Sequence, residues 1–185
     1  MLPVYLHSEM REAIHATLPL YWSSFILYVD NAIPVIASAI EALQKSWFAL
    51  EENQRAAVYY PKAEFRKVRK QLIDILDAQL EESPYKNAVK NKVDQLNMMS
   101  VRDRNALFFE QLGIEYGERE VRAVRMRNVF AHGDTNGGKQ VDEMIDAIKV
   151  LQMLYAKSVL KILEYEGDYI DWAENHERKT MRNVE

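Results

Sequence analysis

Turn-forming residues are scarce in this chain, and this scarcity constrains its fold more than any other feature. Only 6 glycines and 5 prolines occur in 185 residues. An all-β sandwich or barrel needs turn residues about every 8–12 positions, so the sequence argues against that class. Apolar residues instead recur at every third or fourth position, most regularly from Val141 to Ile162. The sequence therefore predicts an all-α fold, an antiparallel helical bundle of four to five long helices plus short helices.

Helix start and stop signals divide the chain into three predicted parts. These are an N-terminal segment (1–20), the helical bundle (21–167) and a charged C-terminal tail or short helix (168–185). Tyr21 begins a long apolar helix that Pro34 should kink or split, because proline lacks a backbone donor. Ser100 and Asp103 resemble a capping box that opens a shorter helix. Residues 118–131 form the next helical window, before a Gly- and Asn-rich loop at 134–138.

Composition excludes several classes of function. The chain has no cysteine, which removes disulfides, thiolate metal sites and a cysteine nucleophile. Its formal net charge of -4 argues against coating nucleic acid through bulk charge. No apolar run is long enough to span a membrane, and the start does not resemble a signal peptide, so a cytoplasmic location is expected. No two of the four histidines are four residues apart, and no phosphate-binding glycine loop occurs, so neither a metal nor a cofactor is predicted.

One segment combines groups that are able to carry chemistry. Four arginines fall within nine residues, just before His132, at positions 119, 122, 125 and 127. On a continuous helix Arg125 and His132 share a face, whereas a helix end at Gly133 would turn His132 towards Arg127. Histidine moves protons near neutral pH, and arginine holds phosphoryl oxygens as negative charge develops. RNA supplies its own nucleophile, the 2′-hydroxyl, so the pair suits phosphodiester chemistry.

The string Arg127-Asn128-Val129-Phe130-Ala131-His132-Gly133 resembles the Arg-x(4–6)-His signature of the HEPN superfamily, and most closely its Apea-like branch. The stretch Ser38–Leu43 is similar to an acidic segment of the same branch. The resemblance covers roughly residues 21–165 and is specific in the seven-residue motif. It implies a helical bundle with the motif on the helix before the last one.

The same resemblance implies a metal-independent endoribonuclease, of the kind found in toxin–antitoxin or antiphage systems. It also implies a homodimer in which the motifs of two subunits share one cleft, with an antitoxin or a further domain as another partner. Arg127 would bind the phosphate, His132 would act as general acid/base, and Asn128 would orient the pair. Glu41 is a candidate acidic neighbour. Helix geometry, rather than the resemblance, adds Arg122 and Arg125 as contacts to the RNA backbone.

Simpler interpretations of these residues remain open. His132 is equally placed to cap the C-terminal end of a helix, where its charge favours the helix dipole. Arg119 and Arg122 could be solvated or paired with neighbouring glutamates, and Glu41 could serve as a structural hydrogen-bond partner. The alternative function is a catalytically silent dimerisation or binding module, whose arginines hold nucleic acid or an acidic protein. The net charge of -4 suits that alternative.

Overall fold

The computed structural model describes residues 2–50, 58–80, 84–131 and 139–182. Within these ranges the chain is mostly helical, which confirms the predicted helical bundle. The helices are α1 (Leu2–His7), α2 (Arg11–Ser23), α3 (Val29–Trp47), α4 (Lys62–Gln79), α5 (Lys86–Gln95), α6 (Val101–Gln111), α7 (Glu118–Ala131) and α8 (Lys139–Ile162). One antiparallel hairpin follows, formed by β1 (Gly167–Asp171) and β2 (Glu177–Met181).

Helix α3 lies at the centre of the bundle. It packs against α2 and α8 along most of its length, and against α6 and α7 over shorter stretches. Its apolar stripe is fully buried because the side chains recur every third or fourth residue: Ile33, Ile36, Ile40 and Leu43. This packing fixes the positions of α6 and α7, the helices that border the candidate site.

Polar contacts inside the core hold α2 against α8. The Thr17 and Tyr155 hydroxyls lie 2.8 Å apart, and the rings of Tyr21 and Tyr155 stack with centroids 4.8 Å apart. Burial, with a smaller electrostatic contribution from Tyr155, raises the pKa of Tyr21 to about 12. Both tyrosines therefore remain neutral at physiological pH and contribute to the core as packed, hydrogen-bonded side chains.

The predicted long helix from Tyr21 is wrong in one respect. Helix α2 ends at Ser23 and α3 begins at Val29, so the break precedes Pro34, which lies inside α3. Ser24 explains the position of the break, since its hydroxyl donates to the Tyr21 carbonyl (2.6 Å) and accepts from Gln152 of α8 (3.0 Å). Residue 20, the predicted end of the N-terminal segment, falls within α2.

Helices α4 and α5 form an antiparallel pair outside the main core. Helix α4 contains no buried residue and contacts mainly α5. Ion pairs join the two helices, one between Arg69 and Asp94 and one between Lys90 and Asp77, at 2.5 Å. The start predicted for α5 at Ser83 lies outside the described residues.

The N-cap predicted at Ser100 is confirmed, but the reciprocal bond of a capping box has another acceptor, since the Ser100 amide donates to the Tyr59 hydroxyl at 3.1 Å. The Ser100 hydroxyl oxygen accepts a hydrogen bond from the Asp103 amide at 3.1 Å. The Tyr59 hydroxyl donates to the Asp103 carboxylate at 2.6 Å and thereby connects the cap to the preceding segment. The helix ends before Gly113, whose φ of 63° lies in the left-handed region that glycine tolerates.

In place of the predicted C-terminal tail or short helix, the structure has the β1–β2 hairpin. Gly167 pairs with Met181, and Asp171 pairs with Glu177. Cross-strand hydrogen bonds favour this pairing, since the Asp168 carboxylate accepts from the Arg178 guanidinium (2.8 Å) and the Thr180 hydroxyl (2.7 Å). The strands are short and highly charged, so their composition resembles that of a charged tail without regular structure. Their stability depends on contacts that sequence periodicity does not reveal.

Candidate functional site

Arg127 of α7 forms an ion pair with Glu41 of α3. Each of the two side chains is 38% exposed, so the pair is accessible to solvent and to a ligand. The structure therefore brings together two of the residues singled out in the sequence, on helices that are far apart along the chain.

A groove of about 550 Å³ surrounds this ion pair, and we call it the motif groove. Its walls come from α3, α6, α7 and the residues after α3: Glu41, Gln44, Lys45, Phe48, Ala49, Val101, Arg104 and Arg127. Buried Gln44 donates to the Asn105 side chain of α6 at 2.8 Å, which fixes the distance between α3 and α6. Three cations and one carboxylate line the groove, so it suits a ligand with more than one negative charge.

A second groove of about 510 Å³ borders α6 and α7, and we call it the arginine groove. It is lined by Arg102, Tyr116, Gly117, Glu118, Val121, Arg122 and Arg125. Tyr116 stacks on Phe109, with ring centroids 4.8 Å apart. Burial raises the pKa of Tyr116, while a hydrogen bond with Asn105 and the charges of Arg102 and Arg125 oppose this rise. Tyr116 is thus a neutral, fixed wall of the groove.

Arg125 and Arg127 line different grooves. Two residues along a helix correspond to a rotation of about 200°, so the two side chains leave α7 in nearly opposite directions. Arg127 lines the motif groove, whereas Arg125 lines the arginine groove together with Arg122. The structure therefore separates the proposed phosphate-binding Arg127 from the two arginines assigned to the RNA backbone.

The other residues of the predicted site are His132 and Asn128. His132 and Gly133 lie outside the described residues, as does the loop at 134–138. Asn128 lies within α7, but its side chain is not described.

Arg119 has a structural role that the sequence did not indicate. Its guanidinium donates to Asp146 of α8 at 2.6 Å, to Glu174 at 2.6 Å and to the Ala173 carbonyl at 2.9 Å. It therefore fastens α7 to α8 and to the turn of the hairpin. Glu120, one of the neighbouring glutamates considered as a partner, instead accepts from the Gly117 amide at 2.9 Å.

Three cations that line the grooves were not singled out from the sequence: Lys45, Arg102 and Arg104. The Arg104 Nε atom is buried and has no hydrogen-bond acceptor among the described residues. Arg102 and Arg104 follow the Ser100 cap closely, and cations near a helix N-terminus oppose the helix dipole. That unfavourable placement is a sequence signal that could have drawn attention to both residues.

The described residues contain no group of three or more histidine, aspartate or glutamate side chains arranged to hold a metal ion. Among the helices that the structure describes, none has both the length and the apolar character needed to cross a membrane.

Comparisons with family models, with curated proteins and with solved structures found no match. The resemblance to the HEPN superfamily therefore rests on the sequence motif and stays a prediction.

Proposed function

We propose that the protein is a metal-independent endoribonuclease of the HEPN type. The observation that carries this proposal is the position of Arg127 in a groove that also contains Lys45 and Arg104. A half-exposed guanidinium beside two further cations suits a phosphodiester, whose negative charge increases as the reaction proceeds. The motif that contains Arg127 also supplies a histidine five residues later, at His132.

In the proposed reaction the RNA 2′-hydroxyl attacks the adjacent phosphorus. The bond from phosphorus to the 5′-oxygen breaks, which leaves a cyclic phosphate on one product and a 5′-hydroxyl on the other. His132 takes the proton from the attacking 2′-hydroxyl and gives one to the departing 5′-oxygen, and Arg127 binds the non-bridging phosphate oxygens. Asn128 orients this pair, while Arg122 and Arg125 contact the RNA backbone beyond the reacting phosphate.

Glu41 has a defined part in this proposal. Its carboxylate holds the Arg127 guanidinium when no RNA is bound. A phosphate that enters the motif groove competes with this carboxylate for Arg127, because both are anions of suitable geometry. Lys45 and Arg104 add the positive charge that favours the phosphate in that competition.

The proposed assembly is a homodimer whose two motifs share a cleft, and the proposed location is the cytoplasm. The resemblance in the motif supports the dimer, together with a role in toxin–antitoxin or antiphage defence and an antitoxin as partner. The location is proposed from the sequence, which has no long apolar run, and a further domain is proposed as an additional partner. Sedimentation velocity on the purified protein tests the dimer: a single species with twice the chain mass of 21.6 kDa is expected. A monomer at all concentrations would contradict this part of the proposal.

The reaction type is tested with a labelled RNA oligonucleotide and its 2′-O-methyl analogue, each incubated with the protein in the presence and in the absence of EDTA. The proposal predicts cleavage of the RNA, with cyclic phosphate and 5′-hydroxyl ends, and no cleavage of the analogue, which lacks the nucleophile. Cleavage of both substrates, or cleavage that EDTA abolishes, would contradict it.

A silent binding module is the second candidate function, and one observation favours it. Arg127 is already paired with Glu41, as in an ion pair that only stabilises a fold. This function predicts that the protein binds RNA or an acidic protein and leaves the RNA intact. Intact RNA in the assay above, combined with measurable RNA binding, would support the module over the nuclease.

A further inference from the structure

We propose that the arginine groove is a separate binding site for the phosphates of a single-stranded RNA, completed by Arg102 of α6. The identity of the ligand rests on the proposed function. The site itself rests on the geometry of the groove, which contains neither Arg127 nor Glu41. RNA binding at this site therefore does not require the motif groove to be catalytically active.

The three guanidiniums of the arginine groove come from two helices. Arg122 and Arg125 lie about one turn apart on the same face of α7, and Arg102 faces them from α6. All three side chains are exposed. Guanidiniums arranged in this way are able to contact successive phosphates of one strand, because each binds phosphate oxygens with two parallel hydrogen bonds.

The arginine groove keeps a net positive charge among the described residues, since three guanidiniums and one carboxylate line it. Asp103 lies close enough to Arg102 for the guanidinium to contribute to lowering the pKa of that carboxyl. Among the described arginines, Arg69, Arg119, Arg127 and Arg178 form ion pairs, and the other seven form none with a described residue. What distinguishes the arginine groove is that three of these seven lie together. Arg102, Arg122 and Arg125 form no ion pair with a described residue, and Glu118 is the one carboxylate that lines their groove. In a chain with a formal net charge of -4, three unpaired arginines at one place indicate an anionic ligand.

The placement of Arg102 supports the same conclusion. It lies in the first turn of α6, where the backbone amides already present partial positive charge. Asp103 in the same turn offsets part of this positive charge. Bound phosphate would offset both the guanidinium and the amides.

Tyr116 favours a nucleic acid over an acidic peptide as the ligand. Its ring lines the groove beside the three arginines, and its stacking on Phe109 holds it in place. Cations next to a fixed aromatic ring are the usual combination in sites for single-stranded nucleic acids, where bases stack and phosphates are neutralised. An acidic peptide would use only the charges.

The test measures the affinity of the protein for a fluorescein-labelled single-stranded RNA by anisotropy, in EDTA and at several salt concentrations. All proteins carry His132→Ala, so that the RNA stays intact. The test variant adds Arg102→Gln, Arg122→Gln and Arg125→Gln, and the matched control adds Arg66→Gln on the exposed surface of α4. Circular dichroism verifies that each variant is folded.

The control should bind RNA as its parent does, and the triple variant should bind at least about 10-fold more weakly at moderate salt. The slope of log affinity against log salt should become less negative by about 2, the value for three lost phosphate contacts on a single strand. An unchanged slope and affinity would overturn the site, as would the absence of any RNA binding. Equal binding of a polyglutamate peptide, with the same loss in the triple variant, would overturn the assignment to RNA.

Failure of this site and failure of the proposed nuclease are distinguishable. If the protein cleaves RNA but the triple variant binds it normally, the RNA site in the arginine groove is contradicted and the nuclease function is retained. If the protein leaves RNA intact but the triple variant loses affinity for RNA, the RNA site is supported and the nuclease function is contradicted.

Discussion

At the scale of single residues, neighbours in the sequence take on different roles because their partners lie far away in the chain. Arg119 fastens α7 to α8 and the hairpin, Arg125 lines the arginine groove, and Arg127 pairs with Glu41. The cluster itself was visible in the sequence. Its division into three roles was not, because the partners lie on helices whose packing no local pattern specifies.

Glu41→Gln tests the role proposed for the carboxylate. Both side chains of the ion pair with Arg127 are 38% exposed, so the free energy of unfolding should change by less than about 1 kcal/mol in a urea titration. Removal of the negative charge should strengthen RNA binding about 3-fold in the His132→Ala background. Glu64→Gln on α4 serves as the control and should change neither quantity. Weaker RNA binding by Glu41→Gln would contradict the proposed competition.

Asp171 provides a prediction about stability and pH. It is 1% exposed and lies 2.8 Å from Lys157 and 3.5 Å from Lys179. Burial alone would raise the pKa of Asp171, but the ion pairs with Lys157 and Lys179 outweigh burial and lower it. Asp171→Asn should therefore destabilise the fold by about 2 kcal/mol at pH 7.

The pH dependence of that effect has a definite sign. A lowered folded-state pKa stabilises the protein fully above the ordinary aspartate pKa of about 3.9, and this stabilisation is lost as the pH falls through the folded-state value. The difference between the wild type and Asp171→Asn in urea unfolding should thus shrink below about pH 4. Asp142→Asn, on the exposed side of α8, is the control. A difference that grows towards low pH would show that the sign is wrong.

At the scale of helices and strands, periodicity and capping predicted the elements whose ends are set by residues close together in the sequence. The N-cap at Ser100 and the window at 118–131 match α6 and α7. The break after Ser23 and the C-terminal hairpin were not predicted. Both depend on other elements: Ser24 is held by Gln152 of α8, and Asp171 by Lys157 of the same helix.

Ser100→Ala tests the N-cap of α6. The alanine leaves the Asp103 amide without its acceptor and should destabilise the protein by about 1 kcal/mol in urea unfolding. Ser100→Thr keeps the hydroxyl and should retain most of the stability. Equal stability of the alanine variant and the wild type would mean that another group satisfies this amide.

Helix α4, which packs mainly on α5, should be less stable than the central helix α3. Helix α4 has no buried residue, whereas α3 is buried along its whole apolar stripe. In native-state hydrogen exchange, amides of α4 should exchange at least about 100-fold faster than those of α3. Equal protection of both helices would imply that α4 is covered by a surface that the monomer does not contain.

At the scale of the whole molecule, an acidic chain concentrates unpaired or weakly paired arginines on the two sides of α7. The motif groove contains Arg127 with Lys45 and Arg104, and the arginine groove contains Arg102, Arg122 and Arg125. The bundle places these cations by packing α6 and α7 against the buried face of α3. Two cationic grooves on one helix suit a ligand that extends across α7, such as an RNA strand.

The measurement that tests this account most directly is the rate of RNA cleavage in EDTA by the wild type, His132→Ala and Arg127→Ala, with Arg66→Ala as the matched control. The account predicts that the control cleaves as fast as the wild type and that the two motif variants are at least about 100-fold slower, because they lack the proton-transfer or the phosphate-binding group. Cleavage by both motif variants at the wild-type rate would contradict it.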